Sequence, residues 1–487
     1  MQNYKGIQPK QRCASPIFVG IMINFARLFE TLKITEMSDT IRLKAGLDLP
    51  ISGIADRLIS RTVFPDSVSV KPTDFKGVVP RLTVSEGDAV LAGSPVFCDK
   101  LRPEMLFTSP ASGTVESIVR GEKRKLLEIR IKCDGKGDAV RFDIPPLADC
   151  GKKEVTDALL KSGLWPAIIQ RPYGIVADPS DTPKSIFISS FDSAPLAADW
   201  NFTLKDEFPN IQTAITALGK LTKGGIHVCL RRGEYAQAGF NRLEGVILHE
   251  VEGPHPAGNV GVQINHISPM AKGDKLWTVN MMLLPAIGKL FQKRVYDTSR
   301  LVALAGPKVN SPSYVRATSG LSIRDISGFF DRSSGDIRVI SGNVLTGENV
   351  GLDGTLGFYD DTVSVIEEGN YREQFGWIKP FRLEKYSHSH TYLSSLFSKR
   401  KYDMDSNMNG GERTFVCNDI YSKVLPMDIY PVYLFKACIA GDVDRMEQLG
   451  ICEVIPEDVA LCEYVDPSKN PIQEIVQKGI DLMIKEM

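Results

Sequence analysis

The sequence predicts a multidomain α+β / α/β protein, and three observations carry that expectation. The 487 residues correspond to about three domains at roughly 150 residues each. Residues 37–150 are rich in Val, Thr, Gly and Pro with alternating apolar positions, whereas strand-like and helical runs alternate over residues 151–300. Hydrophobic residues make up 43% and charged residues 24%, which is globular composition and excludes disorder as the dominant state. Lys plus Arg number 58 against 59 Asp plus Glu, so no bulk charge points to nucleic acid or to an anionic membrane surface.

Residues 1–36 carry Lys5, Lys10 and Arg12 ahead of a short apolar stretch at 17–25. That stretch contains Asn24, is followed by Arg27 and lacks a small-residue cleavage site, which argues against a signal peptide. Met37 opens a sequence with the character of a start, so residues 1–36 are expected to be a non-native or mis-annotated extension.

Within residues 37–150, Gly77-Val78-Val79-Pro80, Val84 and Glu86-Gly87-Asp88-Ala89-Val90 form one strand-and-turn set. Thr108-Ser109-Pro110-Ala111-Ser112-Gly113-Thr114-Val115, Ile118 and Gly121 form a second with matching punctuation. The pair resembles the barrel-sandwich hybrid of biotinyl and lipoyl carrier domains. In a carrier, a modified lysine sits on the hairpin between the two halves; here that hairpin holds Lys100 without the Met-Lys-Met or Asp-Lys-Ala setting. A scaffold barrel is the better reading, with a covalent carrier on Lys100 as the rival.

Residues 151–300 read as a Rossmann-like α/β domain with a parallel sheet. Helices are expected at 154–162 and 210–221, and strands at 185–190, 225–230 and 245–251. The apolar run 276–291 contains Asn280, Pro285 and Lys289, too polar and short to span a membrane, and reads as a buried strand entering a core helix. No GxGxxG follows any strand; Gly258 and Gly261 in HPAGNVGVQ come nearest and read as a turn. Residues 301–370 suggest a small β-grasp unit, 371–412 a linker, and 413–487 a helical domain broken at Pro426, Pro431, Pro456, Pro467 and Pro471. The nine Cys include no CxxC and the six His no HxxxH, so neither a disulfide framework nor a zinc site is expected.

Several ordered blocks then resemble one family. They are Lys44-Ala45-Gly46-Leu47-Asp48-Leu49-Pro50-Ile51, Ser162-Gly163-Leu164-Trp165, Gly253-Pro254-His255-Pro256-Ala257-Gly258, Leu304-Ala305-Gly306-Pro307, Arg338-Val339-Ile340-Ser341-Gly342 and Phe375-Gly376-Trp377. From Met37 onward the chain resembles the NqrA family, which supplies one subunit of the sodium-translocating NADH:quinone reductase (Nqr). That family is related to the C subunit of the Rnf complex and to the flavin subunit of complex I. The resemblance implies an SLBB-like character for the β-grasp unit and a degenerate ferredoxin-like helical domain. It also implies a translocase subunit, peripheral on the cytoplasmic face of the bacterial inner membrane. The expected partners are the other Nqr subunits, above all the membrane-embedded one holding the quinone site.

Two cofactor signatures of those relatives are missing. Their flavin loop is glycine-rich because a side chain would occupy the space of the ring or the pyrophosphate. The corresponding residues 162–173 here contain one glycine, and Trp165, Ile168 and Ile169 are expected to fill a flavin site. The Rnf relative holds [4Fe–4S] clusters through C-x2-C-x2-C-x3-C-P runs. The eight ligand positions become Phe415, Asn418, Tyr421, Leu425, Pro456, Val459, Cys462 and Asp466, a single thiol, with Cys417 out of register. The chain is therefore expected to bind no FMN and no Fe–S cluster, to contribute no catalytic residue or metal ligand, and to meet quinone as substrate of the whole complex. The expected quinone contacts are Leu47, Asp48 and Leu49 with Gly163, Trp165, Ile168, Gln170, Arg171 and Tyr173. A competing expectation makes both stretches packing seams, with Trp165 a core anchor, Arg171 paired to a structural carboxylate and His255 holding a rigid turn. In that case the chain is an assembly scaffold.

Overall fold

The computed structural model describes residues 40–486 except 236, 237, 334, 372, 374, 377, 378, 380, 381, 398, 417 and 418. The 1–36 extension, Trp377, Cys417 and Asn418 lie outside the described residues.

The central unit is a seven-stranded sheet in the order Ile41–Arg42, Ile247–Glu252, Ile226–Arg231, Ile186–Ser189, Leu276–Val279, Ile168–Arg171, Ile175–Val176. The first five strands are parallel. Ile168–Arg171 pairs antiparallel with both of its neighbours, so the sheet is mixed where a parallel one was expected. The reason is chain length: residues 172–174 are too few for a helical crossover and can close only a hairpin. From Ile186–Ser189 the chain adds two strands on one side, then returns to place Leu276–Val279 on the other. This reversal makes the carboxyl ends of these two strands a topological switch point, the usual ligand position in an open α/β sheet.

Helices Lys152–Ser162, Phe208–Leu218, Val260–Ile267 and Leu284–Lys293 cover the sheet. The apolar run at 276–291 does form a buried strand and then a core helix. The HPAGNVGVQ segment is a turn only as far as Asn259; Gly261 lies in the first turn of helix Val260–Ile267.

The barrel unit has two antiparallel sheets, Ser67–Val70, Leu126–Cys133, Gly113–Arg120, Ala89–Val90 and Pro80–Leu82, Pro95–Asp99, Leu106–Thr108. Phe97 and Phe107 stack at 4.3 Å between ring centroids, and Phe75 closes on Phe107 at 4.6 Å. The hairpin bearing Lys100 is held by Asp99, which is fully buried and accepts hydrogen bonds from the amides of Val79 and Leu101 and from Arg102 Nε.

A third, six-stranded sheet runs Glu348–Asn349, Ile337–Ser341, Thr362–Glu367, Ser299–Ala305, Ser313–Thr318, Ile59–Thr62. Its central pair, Ser299–Ala305 with Thr362–Glu367, is parallel. Two short strands depart from the expected boundary at residue 37: Ile41–Arg42 joins the α/β sheet and Ile59–Thr62 the third sheet, so the barrel begins after them.

The C-terminal helices Pro431–Ala440, Val443–Gln448, Ala460–Val465 and Ile472–Glu486 share a core of Leu434, Phe435, Met446, Val459, Cys462, Val476 and Ile480. Pro431 and Pro456 open helical turns rather than break helices, because the first helical position has no carbonyl partner to lose. Among the described residues of 371–412, Leu393–Leu396 form a helical turn, Tyr402 bridges to Ile51 and Asp405 to Glu367, so these positions pack on the rest of the chain. No helix among the described residues is long and apolar enough to cross a membrane.

Candidate functional site

A cavity of about 440 Å³ lies at the switch point. Ser189, Phe191 and Asp192 follow one strand into it, and Thr278, Val279 and Asn280 end the other. His255, Gly258 and Asn259 form a wall where helix Val260–Ile267 begins. The barrel contributes Asp74 and Lys76, the third sheet's unit Asn343, Thr346 and Tyr359, and the helical domain Ile455, Glu457 and Gln473. All four units thus meet at this space.

Of the nine residues expected to contact quinone, Arg171 alone lines this cavity. Trp165 is fully buried, donates Nε1–H to the Ala177 carbonyl at 2.8 Å and meets Trp277 edge-on at 5.6 Å. Ile168 is fully buried on the same core side, whereas Ile169 borders the cavity. Trp165 and Ile168 therefore do not fill the space at the strand ends, which stays open. Gly163 ends helix Lys152–Ser162 with φ +76°, and a Cβ there would lie 2.4 Å from Thr108 Oγ1. It is a left-handed cap pressed on the barrel, a position glycine alone fits without strain. Gln170 and Tyr173 are buried in the 168–176 hairpin.

The second stretch supports the cavity wall from behind. Leu47 N–H donates to the His255 carbonyl at 2.8 Å, and Asp48 Oδ1 accepts from His255 N–H at 2.8 Å. Gly46 makes the approach possible, since a Cβ would lie 2.3 Å from the same carbonyl. Leu49 is buried in the main core.

Arg171 is 1% exposed and pairs with the fully buried Asp458 at 2.7 Å and with Glu457 at 3.2 Å. Gly261 lets the helix pack onto this pair, since a Cβ would fall 2.5 Å from both Arg171 Nη1 and Asp458 Oδ2. Glu457 reaches the cavity; burial and the neighbouring Asp458 charge push its carboxyl up, and Arg171 only partly offsets them. Burial also raises Asp192, and raises Asp74 to about 6. His255 holds Ser193 Oγ at 3.0 Å from Nδ1 and is pushed down to about 4 by burial. Near neutral pH the lining thus offers protonatable carboxyls, amides and a neutral imidazole, an inventory suited to an uncharged ligand with hydrogen-bonding edges.

Sequence reasoning missed Asp74, Lys76, Asp192, Asn259, Asn280 and Glu457. The available signal was the HPAGNVGVQ turn, which follows a strand and opens a helix. At the positions that align with cluster ligands, Tyr421, Leu425, Val459, Cys462 and Asp466 are buried in the helical domain. Tyr421 donates to Asp466 Oδ1 at 3.1 Å, tying two segments of the helical domain together. No group of three or more metal-ligating side chains occurs among the described residues.

Three family models match: an NqrA N-terminal barrel-sandwich hybrid domain over residues 41–134, an NqrA second alpha/beta domain over 150–295, and an NQRA C-terminal domain of SLBB type over 301–351. The NqrA subunit of the Na(+)-translocating NADH-quinone reductase of Rhodopirellula baltica is 37% identical over 453 residues, 91% of this chain and 98% of that relative. The chain belongs to the NqrA family of Na(+)-translocating NADH-quinone reductase subunits. NqrA of Yersinia pestis is 38% identical over 433 residues, covering 88% and 96% of the two chains. NqrA of Neisseria meningitidis serogroup C is 36% identical over 450 residues, covering 92% and 100%. A crystal structure of NAD+-reducing [NiFe]-hydrogenase is similar at a TM-score of 0.36 and 13% identity, over 70% of this chain and 62% of that one, and carries no argument. The family's barrel-sandwich hybrid thus coincides with the unit whose hairpin bears Lys100, and the carrier reading of that lysine is not favoured.

The depressed His255 of this NqrA-family chain makes stability pH-dependent. Its folded value of about 4 lies below the ordinary 6.5, so the unfolded chain takes the proton first and stability is lost as pH falls from 6.5 to 4. The full effect is about 3 kcal/mol at 1.36 kcal/mol per unit. Asp74 and Asp361, both raised to about 6, act in the opposite sense, because the folded chain takes their protons first. Replacing His255→Asn should flatten the fall of the unfolding midpoint over this pH range. An unchanged slope would remove His255 as its cause.

Proposed function

We propose that this chain is the peripheral, quinone-associated subunit of a complex that couples NADH oxidation to Na+ export, docked on the cytoplasmic face of the bacterial inner membrane. It binds neither FMN nor an Fe–S cluster, and it holds a quinone head in the switch-point cavity. Its direct partner is the membrane-embedded subunit with the quinone site. The observation that carries this reading is the chemistry of the cavity at the strand ends.

A quinone head is planar and uncharged, and needs apolar walls with donors for two carbonyl oxygens. Phe191, Ile169, Val279 and Trp200 supply walls, and the amides of Asn259 and Asn280 and a protonated Glu457 supply donors. A nucleotide fits less well. Arg171 is committed to Asp458 and Lys71 to Asp74, so of the cations at this cavity Lys76 is left to meet a phosphate. Space for a glycine loop is also missing: Gly258 lies against Ser193, whose amide would be 2.5 Å from an added Cβ.

A benzoquinone carrying a photoreactive group on the ring tests the reading on the full chain. Saturable labelling is expected in peptides containing residues 189–194, 278–280 and 455–457, and free quinone should compete it away. Labelling that does not saturate, or that falls outside these peptides, would move quinone to a partner and leave this chain an assembly scaffold.

A further inference from the structure

Residues 393–401 carry a surface feature that the candidate site does not use. Leu393–Leu396 form a tight helical turn. Side chains three apart eclipse in such a turn, so Leu393 and Leu396 share a face. They are 41% and 76% exposed, and Phe397, directly after them, is 55% exposed. Arg400 N–H then donates to the Phe397 carbonyl at 3.1 Å, which folds the chain back on itself. Lys399, Arg400 and Lys401 are all exposed. Asp403 is the one acid in the sequence from 393 to 403, and it accepts from Ser52 Oγ. Large apolar side chains and a run of cations therefore stand together at one tip.

Both ends of this tip are pinned. Ser394 is fully buried, and its Oγ donates to the Lys385 carbonyl at 2.6 Å. Tyr402 is buried as well, and its hydroxyl donates to the Ser394 carbonyl at 3.1 Å, which ties the two ends together. Tyr402 N–H donates to the Pro50 carbonyl at 2.8 Å, and its own carbonyl accepts from Ser52 N–H at 3.0 Å. These bonds fix the tip to the 44–51 block, which braces the His255 turn. A backbone already held in place lowers the ordering cost of any contact that the tip makes.

We propose that this tip is a membrane-surface anchor, in which Leu393, Leu396 and Phe397 enter the headgroup region of an anionic bilayer and Lys399, Arg400 and Lys401 meet its phosphates. The proposal rests on the peripheral-membrane reading above and is independent of the quinone reading. A contiguous exposed apolar patch marks a contact surface, unlike apolar side chains scattered singly. A bilayer accepts a projecting tip without a complementary pocket, and its charge is opposite to that of the cations. Long basic side chains reach the headgroups while the neighbouring apolar groups sit deeper. The even charge of the whole chain is no obstacle, because screening leaves the attraction to charge close to the surface.

The test is flotation of the full chain with vesicles of phosphatidylcholine alone and of phosphatidylcholine mixed with phosphatidylglycerol. Binding is expected to the mixed vesicles and should weaken as salt rises. Each cation near an anionic surface contributes about fivefold in affinity, so Lys399→Gln, Arg400→Gln and Lys401→Gln combined should lose about a hundredfold. Leu396→Ser with Phe397→Ser should lose at least about tenfold, since withdrawing two methylenes suffices for that factor. Amide exchange gives a second reading on unmodified protein, and the mixed vesicles should slow it over residues 393–402. Equal binding by the parent and both variants, or slowing confined to other residues, overturns the proposal. So does a parent that ignores both kinds of vesicle yet docks on membranes carrying the other subunits, an outcome that leaves the peripheral reading standing. Loss of that docking in the variants would then assign the tip to a protein partner. If the parent docks on neither, both readings fall.

Discussion

Replacing Trp165 with Ala should lower the unfolding free energy by about 3–5 kcal/mol, the range for truncating a fully buried aromatic. Three contributions add. The indole has no exposed surface, so its whole apolar area is lost from the core. The Ala177 carbonyl loses the Nε1–H that it accepts at 2.8 Å in a buried setting. The edge-on contact with Trp277 at 5.6 Å disappears, and Trp277 itself is fully buried with no hydrogen-bond partner for its own Nε1 among the described residues. Trp165 also follows the Gly163 cap, so collapse here loosens the seam where the barrel rests on the α/β unit. Trp165→Phe keeps most of the ring and should cost clearly less. Denaturant unfolding followed by tryptophan fluorescence and circular dichroism provides the measurement. If Trp165→Ala leaves stability nearly intact but abolishes quinone labelling, Trp165 is a ligand wall after all and the core-anchor reading fails.

The parts of this molecule that the sequence disclosed are those whose signal is local. Strands Ile186–Ser189, Ile226–Arg231 and Ile247–Glu252 lie in short apolar runs, and helix Phe208–Leu218 follows helical spacing. Strand Ile41–Arg42 has two residues, too few for any periodicity, and its place is set by pairing with Val251 and Glu252 far along the chain. The hairpin at 172–174 was hidden for a related reason: Tyr173 takes φ +83°, a conformation that its residue type does not announce.

The candidate site was hidden more completely. Asp74, Asp192 and Glu457 belong to three different units and no spacing rule connects them. The chemistry read from residues 162–173 went astray at one physical point. Trp165 and Ile168 are bulky as expected, but strand alternation turns Ile168 to the core and leaves Ile169 at the cavity. The 44–51 block stands out for its residue types, whereas its role is to brace the His255 turn through Leu47 and Asp48.

Arg171 yields the second large effect, and its partner is 287 residues away in sequence. Arg171→Met should destabilise the fold by about 3–5 kcal/mol, because it leaves Asp458 charged and fully buried without a counterion. Asp458→Asn should cost less, since Arg171 is 1% exposed and keeps its charge but still faces Glu457 at 3.2 Å. The double variant should cost markedly less than the sum, with a coupling of about 1–3 kcal/mol, because neither residual charge is then stranded. The damage should be directional. This pair joins the edge hairpin of the α/β sheet to the helical domain, and Asp458 Oδ2 also caps the turn at Ile455. Amide exchange should therefore rise first over residues 451–466 and in the 168–176 hairpin, ahead of the barrel. Glu457 supplies an independent check. Losing Arg171 removes the main cation that holds its carboxyl down, so that carboxyl should titrate at higher pH in Arg171→Met than in the parent. Strict additivity of the two substitutions, with Glu457 unmoved, would show that Arg171 is not held by these carboxylates and would return it to the role of a ligand donor.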